Sequence, residues 1–249
     1  MVRCATVAVV KHQHRATVSV IIPTLQKAVE LDSLVRDCAA HPAVLEVIVV
    51  NNAAIPLVWD HAKVRVLAQR ENIYVNPAWN LGAREAKGEV LAILNDDISF
   101  DRLPFDEVCR WLANPLIGLI GAHASSYDGT VSGRPRLRPA YHRPRGYGIA
   151  MFLRRNSYVP IPEDIKIWFG DDWLFSRQKG WNMTLLGVPI HTDMSVTSSN
   201  PRLAPIIAAD EEAARRHGAV EGVYHRLHAW ERDALKGVRR GAKRALRRG

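Results

Sequence analysis

The chain has 249 residues, 47% of them hydrophobic and 24% charged, which is enough apolar content for one sizeable core or a core with an appendage. No apolar run approaches the roughly 18 residues of a bilayer-spanning helix, and the opening Met-Val-Arg-Cys-Ala-Thr-Val-Ala-Val-Val is too short for a secretion signal, so a cytoplasmic protein is expected. The net charge of +9 would suggest a nucleic-acid partner if it were spread evenly, but residues 231–249 hold eight Lys or Arg against two acidic residues, a net +6, leaving +3 for the first 230. Cys4, Cys38 and Cys109 are odd in number and lack metal-ligand spacing, so they read as reduced thiols.

Residues 17–22, Thr-Val-Ser-Val-Ile-Ile, are β-branched and end in Pro23-Thr24, which predicts a first strand stopped by a proline. Ala28, Leu31, Leu34, Val35 and Cys38 recur at helical spacing, and His41-Pro42 ends that helix. Residues 44–50 are a second buried strand ending in Asn51-Asn52, and residues 64–67 a third, shorter one. Strand and helix alternating with short links imply a parallel sheet with right-handed crossovers, an α/β fold of the nucleotide-binding kind. Residues 83–87 read as a helix end, and Gly88-Glu89 leads into Val90-Leu91-Ala92-Ile93-Leu94, a central strand covered on both faces. Asn95, Asp96 and Asp97 follow at its carboxyl end, where open α/β sheets bind ligands. Hard oxygen donors there suit Mg²⁺ or Mn²⁺ carrying a diphosphate, although an Asp-Asp pair also caps turns.

Residues 104–122 predict a helix around Val108 and Trp111 and then a strand over 117–121. Residues 123–146 are rich in Gly, Pro, Ser and Arg without periodicity; they read either as a solvated surface loop or as a basic lid over a phosphorylated donor. Residues 147–155 form an apolar strand ending in two arginines, followed by Trp168-Phe169-Gly170-Asp171-Asp172-Trp173-Leu174-Phe175-Ser176-Arg177 and Lys179-Gly180-Trp181. The Asp171-Asp172 pair is also compatible with a simple helix N-cap.

Two stretches in order carry a resemblance. Residues 71–97 resemble the series Glu-Asn-x-Gly, Ala-x-Asn-x-Gly, Ala-x-Gly-Glu, Leu-Asn-x-Asp of family 2 glycosyltransferases with the GT-A fold, and Ile22-Pro23-Thr24 matches the end of that family's first strand. Residues 147–181 resemble its Gly-x-x-Met strand followed by Phe-Gly-Glu-Asp-x-x-Leu-x-x-Arg and Gly-Trp. Together the matches cover residues 17–186, within a rhamnosyl- and galactofuranosyl-transferase-like subset. The resemblance implies a GT-A domain over residues 1–200, Rossmann-like with a mostly parallel sheet flanked by helices, and a helical extension over 201–249 with a basic tail.

For the chemistry it implies inverting transfer from a nucleotide-diphosphate sugar, such as a UDP-sugar, to the hydroxyl of a glycan, lipid-linked or protein acceptor. Asp97 and Asp96 would hold Mn²⁺ or Mg²⁺, with His191 a further possible ligand; a lone histidine there is more often structural. Asp172 would be the general base with Asp171 beside it, and Pro23, Thr24, Asn51, Asn72, Asn80, Asn95 and Asp96 would bind the donor. This chain departs from the pattern at Asn95, where many members carry the first Asp of Asp-x-Asp. It departs again at Asn51, where an amide oxygen replaces the carboxylate that accepts a base N–H, and at Trp79, where many members have Arg.

After Pro205 the sequence turns helical, with Asp210-Glu211-Glu212 acidifying a first turn and apolar positions continuing through Ala219, Val223, Leu227 and Trp230. Leu235, Val238, Ala242 and Ala245 then form a stripe in the basic tail, which reads as a helix on an anionic membrane surface or as a frayed terminus. Two other functions stay open: a nucleotidyltransferase with the same acidic strand end, and a non-catalytic protein binding nucleic acid or an anionic surface through the tail.

Overall fold

The computed structural model describes residues 16–126, 133–192 and 203–219. The strand read over 17–22 becomes β1 (Val18–Thr24), buried at every position. α1 (Leu31–Ala40) turns Leu31, Leu34, Val35 and Cys38 inward at the spacing read from the sequence. β2 (Val44–Asn51), β3 (Val64–Ala68), α2 (Val75–Glu85) and β4 (Val90–Leu94) complete the alternating half, with β4 buried throughout. The short β5 (Ile98–Phe100), α3 (Phe105–Leu112) and β6 (Ile117–Ala122) follow. The second half adds β7 (Arg136–Pro139), β8 (Ala150–Arg154), α4 (Gly170–Ser176), β9 (Trp181–Leu186), β10 (Ile190–Thr192) and α5 (Ala204–Arg216).

Eight strands form one sheet in the order β3-β2-β1-β4-β8-β6-β9-β7, and β5 and β10 pair separately. The sheet is mostly parallel: β1 pairs with β2 and β4, β2 with β3, and β6 with β9 in parallel. β8 runs antiparallel to both β4 and β6, and β7 antiparallel to β9. Reversal of β8 sets its first residue, Ala150, opposite Leu94, so the turn entering β8 lies at the carboxyl end of β4.

Side chains alternate along the strands between two cores. Val18, Val20, Ile22, Val47 and Val49 pack under α1 and α3, whereas Ile21, Ile48, Val50, Leu91 and Ile93 pack with residues of α2, α4 and α5. Gly82 shows how close that second layer comes: a β-carbon there would fall 2.4 Å from Cγ2 of Ile21.

Three boundaries differ from those read in the sequence. Tyr147–Ile149 is a 3₁₀ turn rather than the start of the strand, entered through Gly146 at φ 71°, and it buries the Tyr147 ring completely. Within the aperiodic stretch 123–146, Arg136–Pro139 is an edge strand; its alternating Arg-Leu-Arg-Pro carries too little apolar signal to announce one. α5 begins at Ala204, which places Asp210 in mid-helix and not in a first turn. Among the described residues no helix is long and apolar enough to cross a membrane. The expected helix beyond residue 219 and the basic tail 231–249 lie outside the described residues.

Candidate active site

The polar end of β4 meets the end of β1 directly. Thr24 Oγ1 donates to Oδ2 of Asp96 at 2.6 Å, and Gln26 N–H in turn donates to Thr24 Oγ1 at 2.8 Å. Burial, and then the neighbouring Asp97 charge, push the Asp96 carboxyl above its ordinary range, with the Thr24 bond pulling the other way. Pro23, Thr24, Asn52, Asn72, Asp96 and Asp97 line one cleft of ≈ 320 Å³. The spacing of three separate strand ends in the sequence therefore converges on one concavity, as parallel β1, β2 and β4 require.

Asn51 does not face that cleft. It is buried, its Oδ1 accepts from Ala53 N–H (3.0 Å) and Gln26 Nε2 (3.1 Å), and its Nδ2 donates to the Ile55 carbonyl (2.9 Å). These bonds shape the loop after β2 and engage the amide oxygen expected to receive a nucleobase. Asn52 does line the cleft; its Nδ2 donates to the Tyr74 carbonyl at 3.3 Å, and its buried Oδ1 has no hydrogen-bond partner. Asn80 is likewise outside the cleft, because Oδ1 accepts from Tyr158 O–H (2.8 Å) and Ile161 N–H (2.9 Å) while Nδ2 donates to the Ile161 carbonyl (2.7 Å). Asn72 lines the cleft and forms a turn, accepting Tyr74 N–H at 2.8 Å. Trp79 is buried in the core beneath α2, so its position does not decide the charge of the cleft. A cation stands at Lys27, an exposed residue of the lining that sequence reasoning passed over.

The second acidic pair is built from α4 and the turn before β8. Asn95 N–H donates to the Ile149 carbonyl at 3.0 Å, and the next residue back, Gly148, lies so close to Asp171 that a β-carbon would be 3.0 Å from its Oδ2. This chain of contacts joins the end of β4 to Asp171-Asp172. α2 holds α4 from the other side: Asn76 Nδ2 donates to the Ile165 and Trp168 carbonyls (3.1 Å each), and Gly170 leaves no room for a β-carbon, which would stand 2.0 Å from Asn76 Oδ1.

Arg143 clamps the pair. Its Nε donates to Asp172 Oδ1 at 2.6 Å and its Nη1 lies 3.2 Å from Asp171 Oδ2. Burial drives the Asp171 carboxyl up to about 6, Arg143 opposes it and the Asp172 charge adds to it. The only sequence signal for Arg143 was its place in a basic stretch without periodicity.

His191 is on β10, opposite Ser99 of β5, and its Nε2 lies 2.7 Å from Asp101 Oδ1, both side chains being exposed. Among the described residues no three His, Cys, Asp or Glu side chains gather as a metal cluster. Asp96 and Asp97 nevertheless fit a divalent cation that arrives with a diphosphate, since Mg²⁺ commonly takes one or two protein carboxylates and completes its shell from phosphate and water. The mutual charge that helps raise the Asp96 carboxyl is what such a cation would relieve.

The sheet order, the acidic end of β4 and the second pair on α4 define a glycosyltransferase domain of the GT-A fold. The family model of glycosyl transferase family 2 matches residues 19–175, and the chain belongs to that family. No curated protein matches the chain by sequence. Among solved structures it is similar to GalNAc-T7 crystallised with UDP, GalNAc and Mn²⁺, at TM-score 0.56 and 10% identity over 72% of this chain and 44% of that one. It is also similar to residues 1–349 of S. aureus TarS, at TM-score 0.55 and 14% identity over 71% of this chain and 60% of that one. A mannosyltransferase from Pyrobaculum calidifontis in complex with GDP-Man and Mn²⁺ aligns with TM-score 0.51 and 15% identity over 90% of this chain and 81% of that one. The chain thus spans less than two thirds of the first two of these structures, and at such identities the likeness concerns the fold alone.

Proposed function

We propose that the chain transfers a sugar from a nucleotide-diphosphate sugar to an acceptor hydroxyl with inversion at the anomeric carbon. The observation that carries this reading is the contact chain from Asn95 through Ile149 and Gly148 to Asp171, which brings both acidic pairs to one end of the sheet. Mn²⁺ or Mg²⁺ held by Asp96 and Asp97 would neutralise charge growing on the leaving diphosphate. Thr24 orients the Asp96 carboxylate, Lys27 adds a cation at the cleft rim, and Asn52 Oδ1 offers an acceptor to a nucleobase N–H. Asp172 takes the proton of the acceptor hydroxyl as its oxygen bonds to the anomeric carbon and the bond from that carbon to the diphosphate breaks. Arg143 holds Asp172 Oδ1 and so fixes the orientation of the base. No covalent enzyme intermediate forms.

The catalytic domain is proposed to occupy residues 1–200. Attachment of the basic tail to an anionic membrane is likewise a proposal, resting on its sequence only. Incubation with a panel of nucleotide sugars and Mn²⁺ tests the activity: release of free nucleoside diphosphate is the expected result. Release of pyrophosphate from a nucleoside triphosphate would assign nucleotidyl transfer instead, and salt-sensitive DNA binding without any nucleotide-sugar turnover would make the chain a binding protein.

A further inference from the structure

A second concavity, of ≈ 460 Å³, opens between the segment 140–143, the end of α4 and the start of β9. Asp172 and Arg143 form part of its wall, so it reaches the group assigned above as base. Its other walls include two exposed aromatic residues: Trp181 is 55% and Tyr141 53% exposed, and their rings meet edge to face with centroids 6.4 Å apart. Neither ring belongs to the two buried cores. Gln178 also belongs to the wall; its Nε2 donates to the Ser157 and Leu174 carbonyls, while its buried Oε1 has no hydrogen-bond partner.

Amphipathic rings beside a few fixed polar groups match a ligand that is apolar on one face and rich in hydroxyls at its rim. A sugar ring has that character. A lipid chain would call for a continuous apolar channel, whereas Arg143, Gln178 and Lys179 interrupt this wall. We propose that the cavity is the acceptor site and that the acceptor ends in a saccharide, one face of its ring against Trp181 and a hydroxyl directed to Asp172. The acceptor role rests on the assignment of Asp172 as base; saccharide binding does not.

Saturation-transfer NMR with methyl glycosides and disaccharides of common hexoses and deoxyhexoses tests binding without any donor or turnover. At least one of these saccharides is expected to bind, with affinity falling about tenfold in Trp181→Ala and largely retained in Trp181→Phe. In turnover assays Trp181→Ala is expected to raise the acceptor KM by a similar factor. Absence of saccharide binding, binding undiminished in both Trp181→Ala and Tyr141→Ala, or transfer to a Ser/Thr peptide or an isoprenyl phosphate in preference to every saccharide would overturn the proposal. Trp181-dependent saccharide binding by a protein that turns over no nucleotide sugar would uphold the saccharide site and overturn only the transferase reading.

Discussion

Tyr74 stands at φ 71° and ψ −178°, a backbone region that is essentially restricted to glycine. It occupies the glycine position of the Glu-Asn-x-Gly pattern, lines the cleft at the end of β4, and has Lys166 Nζ 5.1 Å from its ring centroid. Strain kept beside a ligand cleft points to a use for the ring. Tyr74→Gly is therefore expected to be more stable than Tyr74→Ala by about 1 kcal/mol in urea denaturation, while both bind donor nucleotide more weakly by calorimetry. Asp171 makes a second prediction, in pH. Its carboxyl is raised to about 6 from an ordinary 3.8, so the native state holds the proton more tightly than the unfolded chain. Stability from this group is complete below pH 4 and is lost as pH rises to 6, by at most about 3 kcal/mol. Asp171→Asn should remove that falling slope from the pH dependence of the urea midpoint. At this scale the sequence was informative about position and less so about role. Asn80 and Gly82 belong to the recognised pattern, yet Asn80 ties down the segment 158–161 and Gly82 lets α2 close on Ile21. Asn51 and Asn52 are neighbours of one chemistry, and only the fold decides which faces the cleft.

α5 acts on the site from outside it. Asp210 is fully buried and accepts three backbone N–H groups, from Lys166 (2.9 Å), Ile167 (2.7 Å) and Trp168 (2.9 Å), on the segment that leads into α4. Asp210→Ala would leave those donors buried without an acceptor, a loss of about 3 kcal/mol or more. Both the urea midpoint and kcat should fall, because the same segment places Asp171 and Asp172; an unchanged midpoint would show that α5 does not brace it. Gly170→Ala should act on the same joint by forcing a β-carbon onto Asn76, at about 1–3 kcal/mol. The parallel half of the sheet was legible because β1, β2 and β4 are continuous apolar runs with polar ends. β7 and β9 were not, since an edge or half-exposed strand lacks that signature.

On the proposed mechanism the molecule divides its chemistry between two acidic pairs on different halves of the chain, one at a parallel strand end and one on a helix that an antiparallel strand brings alongside. The division is testable because the two jobs fail differently. Asp97→Ala should remove the metal-dependent part of donor affinity, so that calorimetry with Mn²⁺ gives the metal-free value. Asp172→Asn preserves shape and leaves donor binding intact, and it should lower transfer ~10²- to 10⁴-fold, the usual worth of a general base. Arg143 complicates the second variant, since the Asn oxygen can still accept from its Nε but brings no charge to the guanidinium. Arg143→Lys separates the two effects: it keeps the positive charge without the planar fork, and should reduce kcat with little change in donor affinity. If Asp172→Asn instead abolished nucleotide binding while Asp97→Ala left binding and its metal dependence untouched, the roles of the two pairs would be exchanged on the same fold.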